Sequence, residues 1–318
     1  MNKIKVLPDN IINQIAAGEV VENPSSVVKE LLENAIDSNA SSIKIIIKNG
    51  GHDLIEIIDD GLGMNREDLL LAFSRHATSK IKDKDDLNNI NSLGFRGEAL
   101  PSIASVSRVN VLTSDGNEGH EISIDKGEVI KREKSAINKG TDIKVKNLFY
   151  NTPARKKFLK SPSQELRNIT KIVKRFLLSY PDISFTYKAD DKIIYKLNST
   201  SLDRRIIQLF GDSYANNIIE INSLDGEFKV SGYIGNLNLV QKRRGNQYFF
   251  LNGRFIVNES ISKSIRNCYE SIMQRGEFPF FVLFLNLNPN SFDINVHPTK
   301  IEARFSHKWN VINFINNI

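Results

Sequence analysis

Val27-Val28-Lys29-Glu30-Leu31-Leu32-Glu33-Asn34-Ala35-Ile36-Asp37 carries two periodicities at once. Val28, Leu31, Leu32, Ala35 and Ile36 recur at helical spacing and form an apolar stripe, which predicts an amphipathic helix laid on a core. Glu30, Asn34 and Asp37 follow steps of four and three, so they stack along a different face. A carboxylate one turn from a carboxamide can do two jobs. The carboxylate can take a proton from water, and the amide oxygen can help to hold a hard cation such as Mg2+, which prefers oxygen ligands. A solvated polar face is the simpler account of this helix taken alone.

The segments that follow shift that balance. Ile43-Lys44-Ile45-Ile46-Ile47-Lys48, closed by Asn49-Gly50-Gly51, reads as strand and turn. A second strand, Leu54-Ile55-Glu56-Ile57-Ile58, runs into Asp59-Asp60-Gly61-Leu62-Gly63-Met64. Gly61 and Gly63 would let the backbone approach a flat ligand, and Asp59 at the strand end can accept from an exocyclic amine such as that of adenine. A tight turn is the better account of this short word taken alone. It is not a dinucleotide fingerprint, because Arg66 stands where a third glycine is needed. Further on, Ser92-Leu93-Gly94-Phe95-Arg96-Gly97-Glu98-Ala99-Leu100 places glycines just before an apolar helical pattern. Free backbone N–H groups and the positive end of a helix dipole at such a start suit an anion.

Acid-and-amide helix, D-x-G-x-G and glycine-rich helix start together resemble the nucleotide site of the GHKL family, which joins gyrase-type topoisomerases, Hsp90, histidine kinases and MutL. The finer spelling resembles the MutL branch, the DNA mismatch-repair proteins. Its words are Asn13–Val21 (NQIAAGEVV), Arg75–Lys80 (RHATSK), Gly94–Leu100 (GFRGEAL), Leu148–Leu159 (LFYNTPARKKFL), Leu251–Arg254 (LNGR) and Asn295–Lys300 (NVHPTK). They are dense over about the first 160 residues and patchy over 230–305. The resemblance implies an α+β chain: a GHKL-type sandwich ATPase domain over 1–200, then a smaller domain like the second domain of ribosomal protein S5 over 201–318. It implies ATP and Mg2+ as cofactors. Glu30 is then the general base that activates water, Asn34 the Mg2+ ligand, and Asp59 the adenine acceptor assisted by Thr141. Lys80 and the backbone of Gly94, Phe95, Arg96, Gly97, Glu98, Ala99 and Leu100 would cradle phosphates as a lid, and Lys300 would reach the γ-phosphate from the second domain. DNA, a second copy of the chain on ATP binding, and the mismatch-recognition protein MutS are the implied partners.

Composition agrees. The chain has 318 residues, long for one core, with 40% hydrophobic and 25% charged residues, ordinary for a globular protein. One cysteine, Cys268, excludes an internal disulfide and is expected to be a buried, inert thiol. No N-terminal stretch reads as a signal peptide and no apolar run is long enough to span a bilayer, so a cytoplasmic location is expected. The net charge of +6 is uneven: 151–175 holds eight Lys/Arg against the single acid Glu165. Arg155, Lys156 and Lys157 in that stretch, and Lys242, Arg243 and Arg244 before a strand, are candidate DNA contacts. Clustered positive charge suits a phosphate backbone, although a solvated helix face would look the same.

Departures and rivals narrow the reading. The family's usual Asp-Ala-Gly after the first helix is Asp37-Ser38-Asn39 here; asparagine tolerates left-handed geometry, so an intact turn is expected. Glu30 comes too early to leave room for the phosphoacceptor helix of a histidine kinase. A DNA clamp without hydrolysis would have lost the base, yet Glu30 is present. By resemblance the chain is the ATPase half of a longer protein.

Overall fold

The computed structural model describes residues 17, 18, 20–80, 97–293 and 302–317. It falls into two compact units, Met1–Phe176 with Asp182–Ser199, and Leu177–Pro181 with Thr200–Ile318.

In the first unit, helix α1 (Pro24–Asp37) starts where Asn23 caps it, its side chain accepting from the Ser26 N–H, with Pro24 at the first turn. The helix ends at Ser38, and Asn39 takes φ of +58°, the left-handed turn expected of an asparagine there. Strands β1 (Ser42–Lys48) and β2 (Leu54–Asp59) pair antiparallel through the Asn49–Gly51 turn. Short helix α2 (Arg66–Leu71) follows, and the next described helix is α3 (Ala99–Ser105). Then come β3 (Arg108–Ser114), β4 (Gly119–Asp125), β5 (Glu128–Lys134) and β6 (Gly140–Lys146). The short helix α4 (Pro153–Lys157), the long helix α5 (Pro162–Ser179) and the hairpin β7 (Ser184–Ala189) and β8 (Lys192–Leu197) complete the series.

All eight strands share one sheet in the order β5-β4-β3-β6-β2-β1-β7-β8, with β1 and β7 parallel and the other neighbours antiparallel. Alternation puts one apolar row on one face. Ile57 lies between Ile45 on β1 and Ile143 on β6, and Val111 lies opposite Ile143, all of them buried. Val28, Leu31, Leu32 and Ala35 of α1 are buried as well, as the stripe required; Val27 joins them and Ile36 is only partly covered. On the opposite face stand polar pairs such as Glu56 and Lys144, 3.3 Å apart. This one-sided helix layer is the α+β sandwich expected of the GHKL type.

The second unit has helix α6 (Leu202–Phe210), strands β9 (Ile218–Asp225), β10 (Phe228–Gly235), β11 (Gln247–Leu251), β12 (Arg254–Phe255) and β13 (Phe281–Asn286), and helices α7 (Glu259–Cys268) and α8 (Lys308–Asn316). A further two-stranded ribbon joins β14 (Phe292–Asp293) to β15 (Arg304–Phe305). Its main sheet runs β12-β11-β13-β10-β9. One core gathers Phe249, Leu251, Leu283 and Leu285 with Ile261 and Ile265 of α7 and Val311 and Phe314 of α8. A separate aromatic cluster forms around Phe210, Tyr214 and Phe280, with Tyr214 and Phe280 edge to face at 4.9 Å. Arg205 is fully buried and donates to the carbonyls of Leu177 and Pro181. Cys268 corrects one expectation: it sits exposed at the end of α7, because the apolar face there is already filled by Ile261, Ile265 and Tyr269. No helix among the described residues is long and apolar enough to cross a membrane.

Candidate active site

Asp59 ends β2 on the face that α1 covers. Register places it between Ile43 on β1 and Thr141 on β6, and Thr141 in turn faces Thr113 on β3. The two threonine hydroxyls lie 3.1 Å apart and both residues are buried. Burial pushes the Asp59 carboxyl up to about 6, although the Gly61 N–H, 3.0 Å from Oδ1, and the Ser38 hydroxyl at 3.3 Å pull the other way. Its neighbour Asp60 has a different occupation. Burial would raise it too, but Ser41 and Ser42 donate to its carboxylate and hold it below the ordinary range. Asp60 staples the start of β1, so Asp59 is the carboxylate available to a ligand.

The two glycines of the D-x-G-x-G word are required by the protein's own packing, whatever ligand the loop meets. A Cβ on Gly61 would stand 2.0 Å from Ser38 Oγ, and one on Gly63 would stand 1.8 Å from the Ser114 carbonyl oxygen. Gly63 also has φ of +66°. Both make room for protein, packing this loop against the end of α1 and the end of β3.

Glu30, Asn34 and Asp37 occupy one stretch of α1. Lys29 Nζ lies 2.9 Å from Glu30 Oε1 and 3.0 Å from Glu33, which is buried. Burial disfavours the charge on Lys29, yet Glu33 and Glu30 outweigh it and keep its pKa above the ordinary lysine value. Lys80 Nζ sits 3.1 Å from Asn34 Oδ1 and 2.5 Å from Asp37 Oδ2. The Asn34 carboxamide oxygen, expected to serve a metal, therefore already serves a cation, the ammonium of Lys80, and shares it with Asp37. That donor set, one carboxamide and one carboxylate oxygen, fits Mg2+. Lys80, expected to cradle phosphates, lies on these two oxygens. Gly97 and Glu98 lead into α3, which Ala99 and Leu100 begin, and His76 Nδ1 lies 3.7 Å from Glu98. Gly94, Phe95, Arg96 and Lys300 lie outside the described residues.

The basic segments divide. Arg155 is turned inward: its guanidinium stacks over the Phe149 ring at 4.3 Å and donates to the carbonyls of Ala17 and Val21. This corrects its reading as a DNA contact, because a planar guanidinium committed to a ring face and two carbonyls supports the fold. Lys156 and Lys157 beside it are exposed, as are Arg167 and Lys171 on α5. In the second unit Lys242, Arg243 and Arg244 are exposed in a loop, with Arg244 3.9 Å from the exposed Glu259.

Three participants were not legible as such in the sequence: Ser38, Lys29 and Thr113. Ser38 left a trace, standing where an alanine was expected, but only its approach to Asp59 gives that departure a meaning.

Comparison with known proteins gives the same outline. Residues 22–153 match the family model described as histidine kinase-, DNA gyrase B- and HSP90-like ATPase, and 206–318 match the DNA mismatch repair protein, C-terminal domain. The chain is 43% identical over 316 residues to the DNA mismatch repair protein MutL of Fervidobacterium nodosum, covering 99% of this chain and 53% of that one. It is 46% identical over 308 residues to MutL of Clostridium perfringens, covering 96% and 46%. The chain thus spans about half the length of the curated relatives it matches. Among solved structures, the N-terminal domain of a DNA repair protein aligns with a TM-score of 0.80 at 25% identity, over 96% of both chains. The Aquifex aeolicus MutL ATPase domain complexed with ADP aligns with a TM-score of 0.64 at 26% identity, over 85% of this chain and 94% of that one.

Proposed function

Because the chain belongs to the MutL family of DNA mismatch-repair proteins, we propose that its first unit binds ATP with Mg2+ and hydrolyses it to drive a change of shape. The observation that carries this reading is the placement of Glu30, Asn34 and Asp37 along α1 together with Asp59 and Thr141 at the strand ends below the same helix layer. Asp59, freed of the structural duty that Asp60 performs, accepts from the adenine amine. Asn34 and Asp37 are the residues that would hold Mg2+, which when bound neutralises phosphate charge. Lys80, released from those two oxygens, is within reach of the phosphates. Glu30 takes the proton of the attacking water at its carboxylate, and its ion pair with Lys29 holds that carboxylate in one rotamer.

Nucleotide binding is proposed to close the lid and to favour a dimer through the N-terminal face, a population shift toward the form that binds ATP better, with Lys300 proposed separately as the lysine that meets the γ-phosphate. The exposed Lys156 and Lys157 in one unit, and Lys242, Arg243 and Arg244 in the other, are the proposed DNA contacts, made to phosphates without regard to sequence. By family, the chain works with the mismatch-recognition protein MutS in the cytoplasm. The test is Glu30→Ala. It should keep ATP binding and lose turnover by roughly 10²–10⁴-fold, the contribution of a general base. Near-normal turnover in the purified variant would overturn the assignment.

A further inference from the structure

Ser38 occupies the position that ends α1, and three features tie it to the purine-reading carboxylate. Its backbone carbonyl accepts from the Leu62 N–H at 2.9 Å, which pins the D-x-G-x-G loop to the helix end. Its hydroxyl lies 2.7 Å from the Ala35 carbonyl and 3.3 Å from Asp59 Oδ1. Gly61 leaves the space the hydroxyl fills, since a Cβ there would be 2.0 Å from Ser38 Oγ.

A serine hydroxyl has one proton and two acceptors here. When Asp59 is ionised, the proton is drawn to Oδ1; when Asp59 is protonated, it returns to the Ala35 carbonyl inside the helix turn. The hydroxyl therefore bonds the charged form of Asp59 selectively, which favours that form. With the Gly61 N–H on the same oxygen at 3.0 Å, Oδ1 is held by two protein donors and the carboxylate rotamer is set. The Thr141 backbone N–H bonds the carboxylate as well, and with about four acceptor sites on its two oxygens the ionised group can still take one incoming donor. An exocyclic amine is held more strongly by an ionised acceptor than by a protonated one, and Asp59 is half-buried in a place that works against ionisation.

We propose that Ser38 is a positioning residue for purine recognition: it keeps Asp59 ionised and oriented so that the carboxylate can accept the amine. This rests on the nucleotide reading given above. Ser38→Ala removes one hydrogen bond to a charged group and is expected to raise the Asp59 pKa by about one unit, a tenfold change in its ionisation equilibrium.

Two measurements on the full chain test it. Carbon-13 NMR titration of the Asp59 carboxyl in nucleotide-free protein reads the carboxyl directly. The expected result is a midpoint shifted upward in Ser38→Ala; a titration superimposable on the parent's overturns the proposal. Binding of adenosine, which has no phosphates, is then measured from pH 5 to 8. The acid limb of the affinity profile should move up by about one unit in Ser38→Ala, with binding about tenfold weaker near pH 5, about fivefold weaker near pH 6, and a gap that closes toward pH 8. An equal loss at every pH means the variant disturbs the loop and not the carboxyl, and also overturns the proposal. Absence of adenosine binding in the parent would instead count against the nucleotide reading, while the carboxyl titration still decides the role of Ser38.

Discussion

Replacing Asp59 by asparagine should make the nucleotide-free protein more stable at pH 7 while removing its grip on adenine. The Asp59 pKa is raised from an ordinary 3.8 to about 6 in the folded protein, first of all by burial. A raised carboxyl pKa means that the folded state holds its proton more tightly than the unfolded chain does. That contribution is fully present below pH 3.8 and is lost as the pH rises through 6; at pH 7 the folded protein carries a buried charge that the unfolded chain carries in water. The shift is about 2 units at 1.36 kcal/mol each, so the ionised side chain costs about 3 kcal/mol at pH 7. Asparagine keeps an acceptor for the Gly61 N–H and carries no charge, so Asp59→Asn should recover up to about 3 kcal/mol. At pH 4.5 the folded-state carboxyl is almost wholly protonated and the unfolded one partly so, which leaves about 1 kcal/mol to gain. Urea unfolding of parent and variant without nucleotide, at both pH values, reads these differences as shifts in midpoint at constant slope. A variant that is less stable at pH 7, or one whose gain is the same at both pH values, refutes the reasoning. Adenine nucleotide binding should be lost in the variant throughout.

Gly63→Ala adds a Cβ 1.8 Å from the Ser114 oxygen at φ of +66° and should destabilise the first unit by about 2–4 kcal/mol, whereas Gly127→Ala, with 3.8 Å to its nearest neighbour, should cost only about 1–2 kcal/mol for the positive φ; comparable thermal shifts for the two would count against the packing argument. Neutralising Lys242, Arg243 and Arg244 together should weaken DNA binding and flatten its salt dependence by about one unit of log–log slope per lost phosphate contact. Unchanged affinity across a salt titration removes that loop from the DNA interface. Arg155→Ala should behave in the opposite sense, lowering the melting temperature through lost contacts to Phe149, Ala17 and Val21 while leaving the salt slope in place.

The sequence alone determined those features whose cause is local. The helix Pro24–Asp37, with Glu30, Asn34 and Asp37 along it, follows from spacing within a few turns, and so do the strands at Ser42–Lys48 and Leu54–Asp59 with the turn between them. Asn39 in the left-handed region is equally local, because one residue's backbone preference suffices. The family words added the family, since several long segments must agree at once. Tertiary structure decided whatever depends on partners far along the chain. Thr141 lies beside Asp59 only because β6 pairs with β2 across about eighty residues. Of two adjacent aspartates, Asp60 is claimed by Ser41 and Ser42 and Asp59 is left half-buried with a raised pKa, a difference of surroundings that no pattern of residues displays. Arg155 sits in a basic run yet points inward, whereas Lys156 and Lys157 point out, because Phe149 and two carbonyls wait on one side. Glu33 is buried on an otherwise apolar face because Lys29 reaches it one turn away. In each case the deciding quantity is desolvation together with the identity of a distant partner, and both come into being only when the chain has folded.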